Sequence, residues 1–324
     1  MLEGSMFHTN NAVFNLISRL RVRGNSGRGI HRSWICLLLL GMVFPLVIQG
    51  QERPYFVTYS HDLEEPGNLE IANKNIAGSP ARASTFMSNT LELEYGTTGW
   101  WTTEVYLSGQ TTRHDSTVYN GFRLENRFRP LMREHWINPV LYAEFEDVNA
   151  ADKSLLEVVG NDNIDDFRVP NAVSRLEKQR EAELKLILSR NWHAWNFAEN
   201  TIFEKNLNNS PWEFGYALGT SRPLGLAAHS VPCALCSENF AAGLEMYGGL
   251  GTRYSPGLHN TSQYLSPTVA WTAPNGTTVT FGPAFGLNDN SAGALFRFGI
   301  SYEVSQAFSR FHASRDLPED RGSR

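Results

Sequence analysis

Apart from one run, Trp34–Ile48 (WICLLLLGMVFPLVI), this 324-residue chain has no long hydrophobic stretch. That excludes a bundle of membrane helices, each of which needs about 20 consecutive apolar residues. Positive charge is not in excess: Lys and Arg number 28 against 33 Asp and Glu, a net charge of -5, and nothing in that balance supports a nucleic-acid partner. Cysteine is scarce, with 3 in all. No nucleophile elbow, phosphate loop or zinc-protease helix motif occurs, so the sequence points to no enzyme and no cofactor is expected. What the chain does have is aromatic residues, 12% of the total, and 27 glycines, a mixture suited to strands whose two faces meet different surroundings.

The Trp34–Ile48 run is short for a span. It follows Arg19, Arg21, Arg23, Arg28 and Arg32 and precedes Gly50-Gln51, and this order of basic flank, apolar run and small exit residue reads as a secretory signal peptide. Residues 1–50 are expected to be an N-terminal extension and signal peptide, cut near Gly50, so that the mature chain is exported. Ile48 stands where a small residue is preferred, and the long Arg-rich lead also fits an upstream start or a transit peptide.

In the mature chain, apolar and polar residues alternate with period two, which puts every second side chain on one face of a strand. Leu91, Leu93 and Tyr95 alternate with Glu92 and Glu94; beyond the Gly96–Gly99 turn, Trp101, Thr103, Val105 and Leu107 alternate with Thr102, Glu104 and Ser108. The pattern recurs through Phe122–Phe128, Leu141–Glu146, Trp212–Gly219, Gly243–Tyr247, Tyr264–Trp271 and Val279–Gly286. It is plainest at the end, where Ala294, Phe296, Phe298, Ile300, Tyr302 and Val304 face away from Arg297, Gly299, Ser301 and Glu303. A soluble sandwich also alternates. These segments, however, run about ten residues, the length of a tilted membrane strand, against about five or six in globular proteins. Trp100, Trp101, Trp136, Trp192, Trp195 and Trp271 lie in or beside turns that fall at one end of the strands, as in an interfacial aromatic belt. The expectation is an all-β fold, an antiparallel transmembrane β-barrel of about twelve strands, with a 51–66 N-terminal arm, the barrel over 67–305 and a disordered tail over 306–324.

Some segments read two ways. Arg175–Arg190 (RLEKQREAELKLILSR) is rich in helix formers, yet Ala182, Leu184, Leu186 and Leu188 alternate well enough to favour a strand. Tyr55–Ser60 reads as an edge segment or as part of the arm. Arg222–Ser237 is long for the end that carries the tight turns, so an irregular excursion or a miscounted strand is expected there. Val148–Ser174 is expected to be an external loop, with Asn161–Asp166 (NDNIDD) a solvated acidic stretch that lacks the spacing of a calcium loop.

EEPGNLEI (Glu64–Ile71), LELEYGTTGWWTTEVYL, FRLENRFRP followed by REHWINPVLYAEFE, and FGPAFGLNDNSAGALFRFGISYEV together give the chain a resemblance, from about Tyr55 to Val304, to a family of uncharacterised bacterial outer-membrane barrels. More distantly, it is similar to transport-type barrels linked to aromatic-compound degradation. The resemblance implies a bacterial outer-membrane location, with the lipid bilayer and the outer-membrane assembly machinery as partners, and it supplies no catalytic residues. The chain departs from the usual barrel ending in having a tail after Val304, with Phe308 and Phe311 the nearest substitutes for a terminal aromatic.

If the apolar faces meet lipid, then Glu92, Glu94, Glu104, Glu125, Glu144, Glu146, Glu183, Glu213, Glu245 and Glu303 line the lumen with Arg123, Arg127, Lys185 and Arg297. Acid outnumbers base, so a water-filled lumen would favour a small polar or cationic solute, as in a passive pore or transporter. The alternatives are a structural or ligand-binding barrel plugged by paired charges and a secreted soluble β-sandwich that binds a ligand. The pairs Glu92/Glu94 and Glu144/Glu146, about 7 Å apart along a strand, have the spacing of glycosidase carboxylates but arise in any strand with alternating Glu. Cys233 and Cys236 form a C-x-x-C, read in an exported protein as a local disulfide. Cys36 would leave with the signal peptide. Ser237 stands where a haem motif needs His, and with only His229 nearby no metal site is expected.

Overall fold

The computed structural model describes residues 53–154, 158–208, 210–227 and 233–307. The signal peptide, Cys36, His229, Phe308, Phe311 and the charged tail lie outside the described residues. Twelve long strands follow in chain order: β1 (Leu69–Gly78), β2 (Phe86–Thr98), β3 (Trp101–Thr112), β4 (Thr117–Phe128), β5 (Asn138–Asn149), β6 (Lys178–Trp192), β7 (Trp195–Asn206), β8 (Trp212–Pro223), β9 (Phe240–Thr252), β11 (Gln263–Thr272), β12 (Thr277–Gly286) and β13 (Ala294–Val304). A two-residue strand, β10 (Ser255–Pro256), folds back on β9.

Each long strand pairs antiparallel with its neighbours in sequence, and the ring closes where β1 pairs with β13, from Leu69 opposite Val304 to Gly78 opposite Leu295. Closure leaves no free sheet edge, the condition that a bilayer imposes because it offers no water to unpaired backbone groups. Gly121, with φ of 151°, makes a bulge between β3 and β4; a Cβ there would lie 2.1 Å from the Asp147 carbonyl oxygen.

The polarity is inside out relative to a soluble protein. Phe296, Phe298 and Ile300 are exposed on the outer face, whereas Glu125, Glu183 and Glu245 are 0% accessible on the inner one. One closed sheet replaces the two facing sheets that a sandwich needs. Trp100, Trp136, Trp192 and Trp195 are exposed at the end that carries the short turns, with Arg190 over the Trp136 ring and Arg222 over that of Trp195.

The ambiguous segments resolve as follows. Asn171–Ser174 forms one helical turn, and the chain from Lys178 is strand, because outward Leu184 and Leu186 and inward Glu183 and Lys185 meet opposite surroundings in a barrel wall. Among the described residues no strand falls between β8 and β9, and a single 3-10 turn, Ser237–Asn239, leads into β9. Cys233 and Cys236 are disulfide-bonded there, with Cα atoms 5.3 Å apart, and Trp271 Nε1 donates to the Ala234 carbonyl at 2.7 Å. So short a loop leaves little chain entropy to remove, and Cys233→Ser with Cys236→Ser is expected to cost at most about 2 kcal/mol in urea titration.

The loop after β5 is solvated only in part: Asn161, Asp162, Asp165 and Asp166 are exposed, as expected of the acidic stretch, but the apolar residues around them turn inward. It folds into the barrel mouth: Gly160 N–H donates to the Phe214 carbonyl at 3.0 Å, Ile164 N–H donates to that of Asn290 at 2.7 Å, and Val158, Val159, Ile164 and Phe167 are buried. Phe167 stacks on Phe86 of β2 with centroids 5.2 Å apart. Burial of these four apolar side chains drives the fold inward, while Asn161 and Asp165 stay exposed at the rim.

Candidate functional site

The inner wall between β1 and β7 carries most of the charge. Arg127 on β4 meets Glu94 at 2.5 Å, Glu125 at 3.1 Å and also Glu104. Arg123, two inward positions away with Glu125 between, holds Glu146 at 2.6 Å, Glu144 at 3.7 Å and Asp152 of the inward loop at 2.7 Å. Lys185 pairs with Glu183 at 2.9 Å, and Lys74 on β1 with Glu92 at 2.6 Å. Such side chains, with Arg127 6% and Glu104 1% accessible, are tolerable in a dry interior only as a paired network.

The opposite wall, β8 to β13, is nearly bare of charge. Glu245 and Arg297 pair there at 3.4 Å, Glu213 lies against Gly160 of the inward loop, and Glu303, at the terminal end, accepts from Asn68 Nδ2. This wall presents small residues instead, and the N-terminal arm lies on them. A Cβ at Gly219 would lie 2.8 Å from Thr58 Cγ2, one at Gly282 3.0 Å from the Phe56 ring, and one at Gly243 3.1 Å from Pro54 Cγ. The glycines clear a floor for the arm's rings.

Residues 53–62 of the arm enter the lumen at the end that carries the short turns, bend at Phe56 and Val57, and return. The bend points the N–H groups of Phe56, Val57 and Thr58 at the Glu245 carboxylate, at 2.8 to 3.1 Å, a nest of backbone donors around an anion. Tyr59 N–H donates to Asn200 Oδ1 at 2.7 Å, and Asn200 Nδ2 returns a bond to the Tyr59 carbonyl at 2.9 Å. The Tyr59 hydroxyl donates to Glu125 at 3.0 Å, and its ring lies 4.8 Å from Lys185 Nζ and 5.1 Å from the Arg127 guanidinium carbon. The Arg297 guanidinium stacks over Phe56 at 4.8 Å.

His61 fastens the returning limb. Its backbone N–H donates to Ser189 Oγ at 2.8 Å, its Nδ1 also touches Ser189, and its Nε2 lies 2.9 Å from Glu134. At the base of the bend, Arg53 bonds Asp62 at 2.9 Å and Asn191 Oδ1 at 2.9 Å. Burial raises the pKa of the Asp62 carboxyl, but Arg53, His61 and the Ser60 hydroxyl together outweigh that and hold the group below the usual carboxylate range. The clasp is therefore complete at neutral pH and weakens only as pH falls through that lowered value.

Arm and inward loop meet in mid-barrel, where Val57, Val158, Ile164 and Phe167 share an apolar cluster with Phe86, Tyr247, Tyr264 and Leu295 of the wall. A water-filled passage would leave wall carboxylates accessible, and Glu125, Glu183 and Glu245 are not. A water-sized gap of about 10 Å³ remains beside Phe56, Lys74, Thr90 and Arg297. The sequence pattern did not single out Lys74, Ser189, Asn200 or the arm's contacts. Lys74 shares parity with Ala72 and Ile76, a signal that Asn73 and Asn75 mask by standing at the alternate, otherwise apolar positions.

Twelve paired strands closed on themselves, apolar outside and polar within, define a transmembrane β-barrel, here with its lumen filled by its own chain. No family model and no curated protein matches the sequence. Among solved structures it is similar to the KdgM porin in complex with disordered oligogalacturonate, at 7% identity over 72% of this chain and 98% of that one, with a TM-score of 0.43. It is also similar to the NanC porin, at 12% identity over 73% and 100% with a TM-score of 0.41. A third, the CymD monoaromatic hydrocarbon channel, has 10% identity over 75% and 89% and a TM-score of 0.37.

Proposed function

We propose that the protein is an outer-membrane channel for a small polar or cationic solute, held shut by its N-terminal arm, with the short turns facing the periplasm. One observation carries this reading. The segment that fills the turn-end half of the lumen is no part of the ring of strand pairings: side-chain hydrogen bonds hold it on a glycine floor, so it can leave while the sheet stays closed. Closure also buries the hydroxyls of Thr58 and Thr268 without a hydrogen-bond partner, and water entering an emptied lumen would satisfy both. The wall left behind is acidic in excess, which favours cations.

Planar-bilayer recording tests the proposal. The full chain is expected to be mostly silent, and deletion of residues 53–62 to give a steady, cation-selective conductance. Silence of both, each shown to be folded by heat-modifiability, would overturn the channel. A lock tests the arm itself. A Cβ at Gly219 would lie 3.0 Å from Thr58 Cβ, near the about 3.5–4.5 Å of a disulfide. Oxidised Thr58→Cys/Gly219→Cys protein is expected to lose even the rare openings of the full chain, and reduction to restore them, with the unsubstituted chain under the same reductant as control.

A second reading, a permanently plugged structural barrel, is favoured by the ion pairs of Arg123 and Arg127, which would persist without the arm. In that case, substitutions inside would lower stability and leave permeability unchanged.

A further inference from the structure

The outer face has one polar interruption on β1 and β2. Ala72, Lys74 and Ile76 of β1 point inward, and so do Ser88 and Thr90 of β2, so Asn73, Asn75 and Asn89 point outward. They lie deep in the apolar band: Asn73 is level with Ile300 and Leu91, and Asn75 with Phe298 and Asn89. Outward Ile71, Met87, Phe298 and Ile300 are all exposed around them. An amide facing hydrocarbon is unfavourable unless its donors and acceptors are met.

The three amides meet each other only in part. Asn75 Nδ2 donates to Asn73 Oδ1 at 2.8 Å, and Asn89 Nδ2 donates to Asn73 Oδ1 and to Asn75 Oδ1, both at 2.9 Å. Every amide nitrogen bond within the patch is thus made by Asn75 or Asn89, and every oxygen that accepts belongs to Asn73 or Asn75. The Asn73 amino group and the Asn89 carbonyl oxygen, both on the outer face, make no bond inside the patch.

We propose that this face is the contact between two copies of the chain, related by a two-fold axis through the asparagine patch. A two-fold contact sets the same surface against itself, so a patch with one wholly unused amino group and one wholly unused carbonyl oxygen is self-complementary: Asn73 of each copy donates to Asn89 of the other. The surrounding apolar side chains shield these bonds from competing polar groups. Acyl chains offer neither donor nor acceptor, and this depth lies below the headgroups, so lipid cannot meet the same need. The contact uses the outer face of β1 and β2 and leaves the lumen and the arm untouched, so it holds or fails independently of channel activity.

Cysteine cross-linking of folded protein in native membranes tests it. Met87→Cys, two residues along β2 from Asn89 and 54% accessible, is expected to give a dimer with a lipid-permeant oxidant. Leu218→Cys, across the barrel on β8 and also exposed, is expected to give none. Adding Asn73→Leu, Asn75→Leu and Asn89→Leu to Met87→Cys is expected to lower the dimer yield about tenfold, the factor that about 1.4 kcal/mol of lost hydrogen bonding makes. Apolar residues at those positions suit a lipid-facing strand, and heat-modifiability confirms that the variant is folded. Three results would each overturn the proposal: no dimer from Met87→Cys, equal yields from Met87→Cys and Leu218→Cys, or a product with the mass of a different partner.

Discussion

Replacing Arg127 with alanine is expected to remove about 3–5 kcal/mol of stability, because it strands three buried carboxylates around one lost cation. Glu94, Glu104 and Glu125 converge on that guanidinium, Glu125 and Glu104 are 0% and 1% accessible, and Tyr59 of the arm leans on the same cluster. The nearest other cations, Lys74 and Lys185, are engaged by Glu92 and Glu183. Urea titration of the protein folded in detergent, followed by tryptophan fluorescence, measures the loss. Arg127→Lys should recover only part of it, since an ammonium cannot fork between carboxylates as a guanidinium does. The size of the effect also reports on the lumen. A loss of less than about 1 kcal/mol is the value for solvated pairs and would mean that water reaches the carboxylates, against a lumen sealed by the arm.

The wall of this barrel is legible in the sequence and its contents are not, for a physical reason. A strand writes its two environments into adjacent letters, so Phe296–Gly299 or Leu184–Ile187 declares which side meets lipid. Even the helix-rich composition of Arg175–Arg190 yields, because propensity is worth tenths of a kcal/mol per residue and burial of a whole face far more. The arm leaves no such trace. It is fixed by Glu245, Asn200 and Ser189, between 128 and 189 residues away, through side chains whose spacing in sequence has no period. Gly219, Gly243 and Gly282 are visible as small inward residues, but what they make room for is not. The inward loop is hidden in the same way, since Val158, Ile164 and Phe167 stand among acids that suggest solvent. Most of the charges expected to line a polar lumen, Glu104, Glu125, Glu146, Arg123, Arg127 and Arg297 among them, are therefore found paired and shut from water by chain that the alternation could not place.

The lipid face can be tested by depth. Phe298 lies midway along β13, cross-paired with Phe281, and is 44% accessible; Tyr302 lies four residues nearer the turn end on the same outward row, at 47%. The two are about 13 Å apart along the strand. In a water-soluble protein, arginine at either site would be nearly neutral, since both side chains already stand free of the core. In a bilayer, the cost depends on distance from the midplane: about 2–4 kcal/mol for Phe298→Arg and about 0–1 kcal/mol for Tyr302→Arg. Urea titration of both variants refolded into lipid vesicles measures the gradient. Equal, small losses at the two positions would mean that the outer face does not meet hydrocarbon, and the channel, the arm's role as its stopper and the contact through Asn73 and Asn89 would all lose their setting.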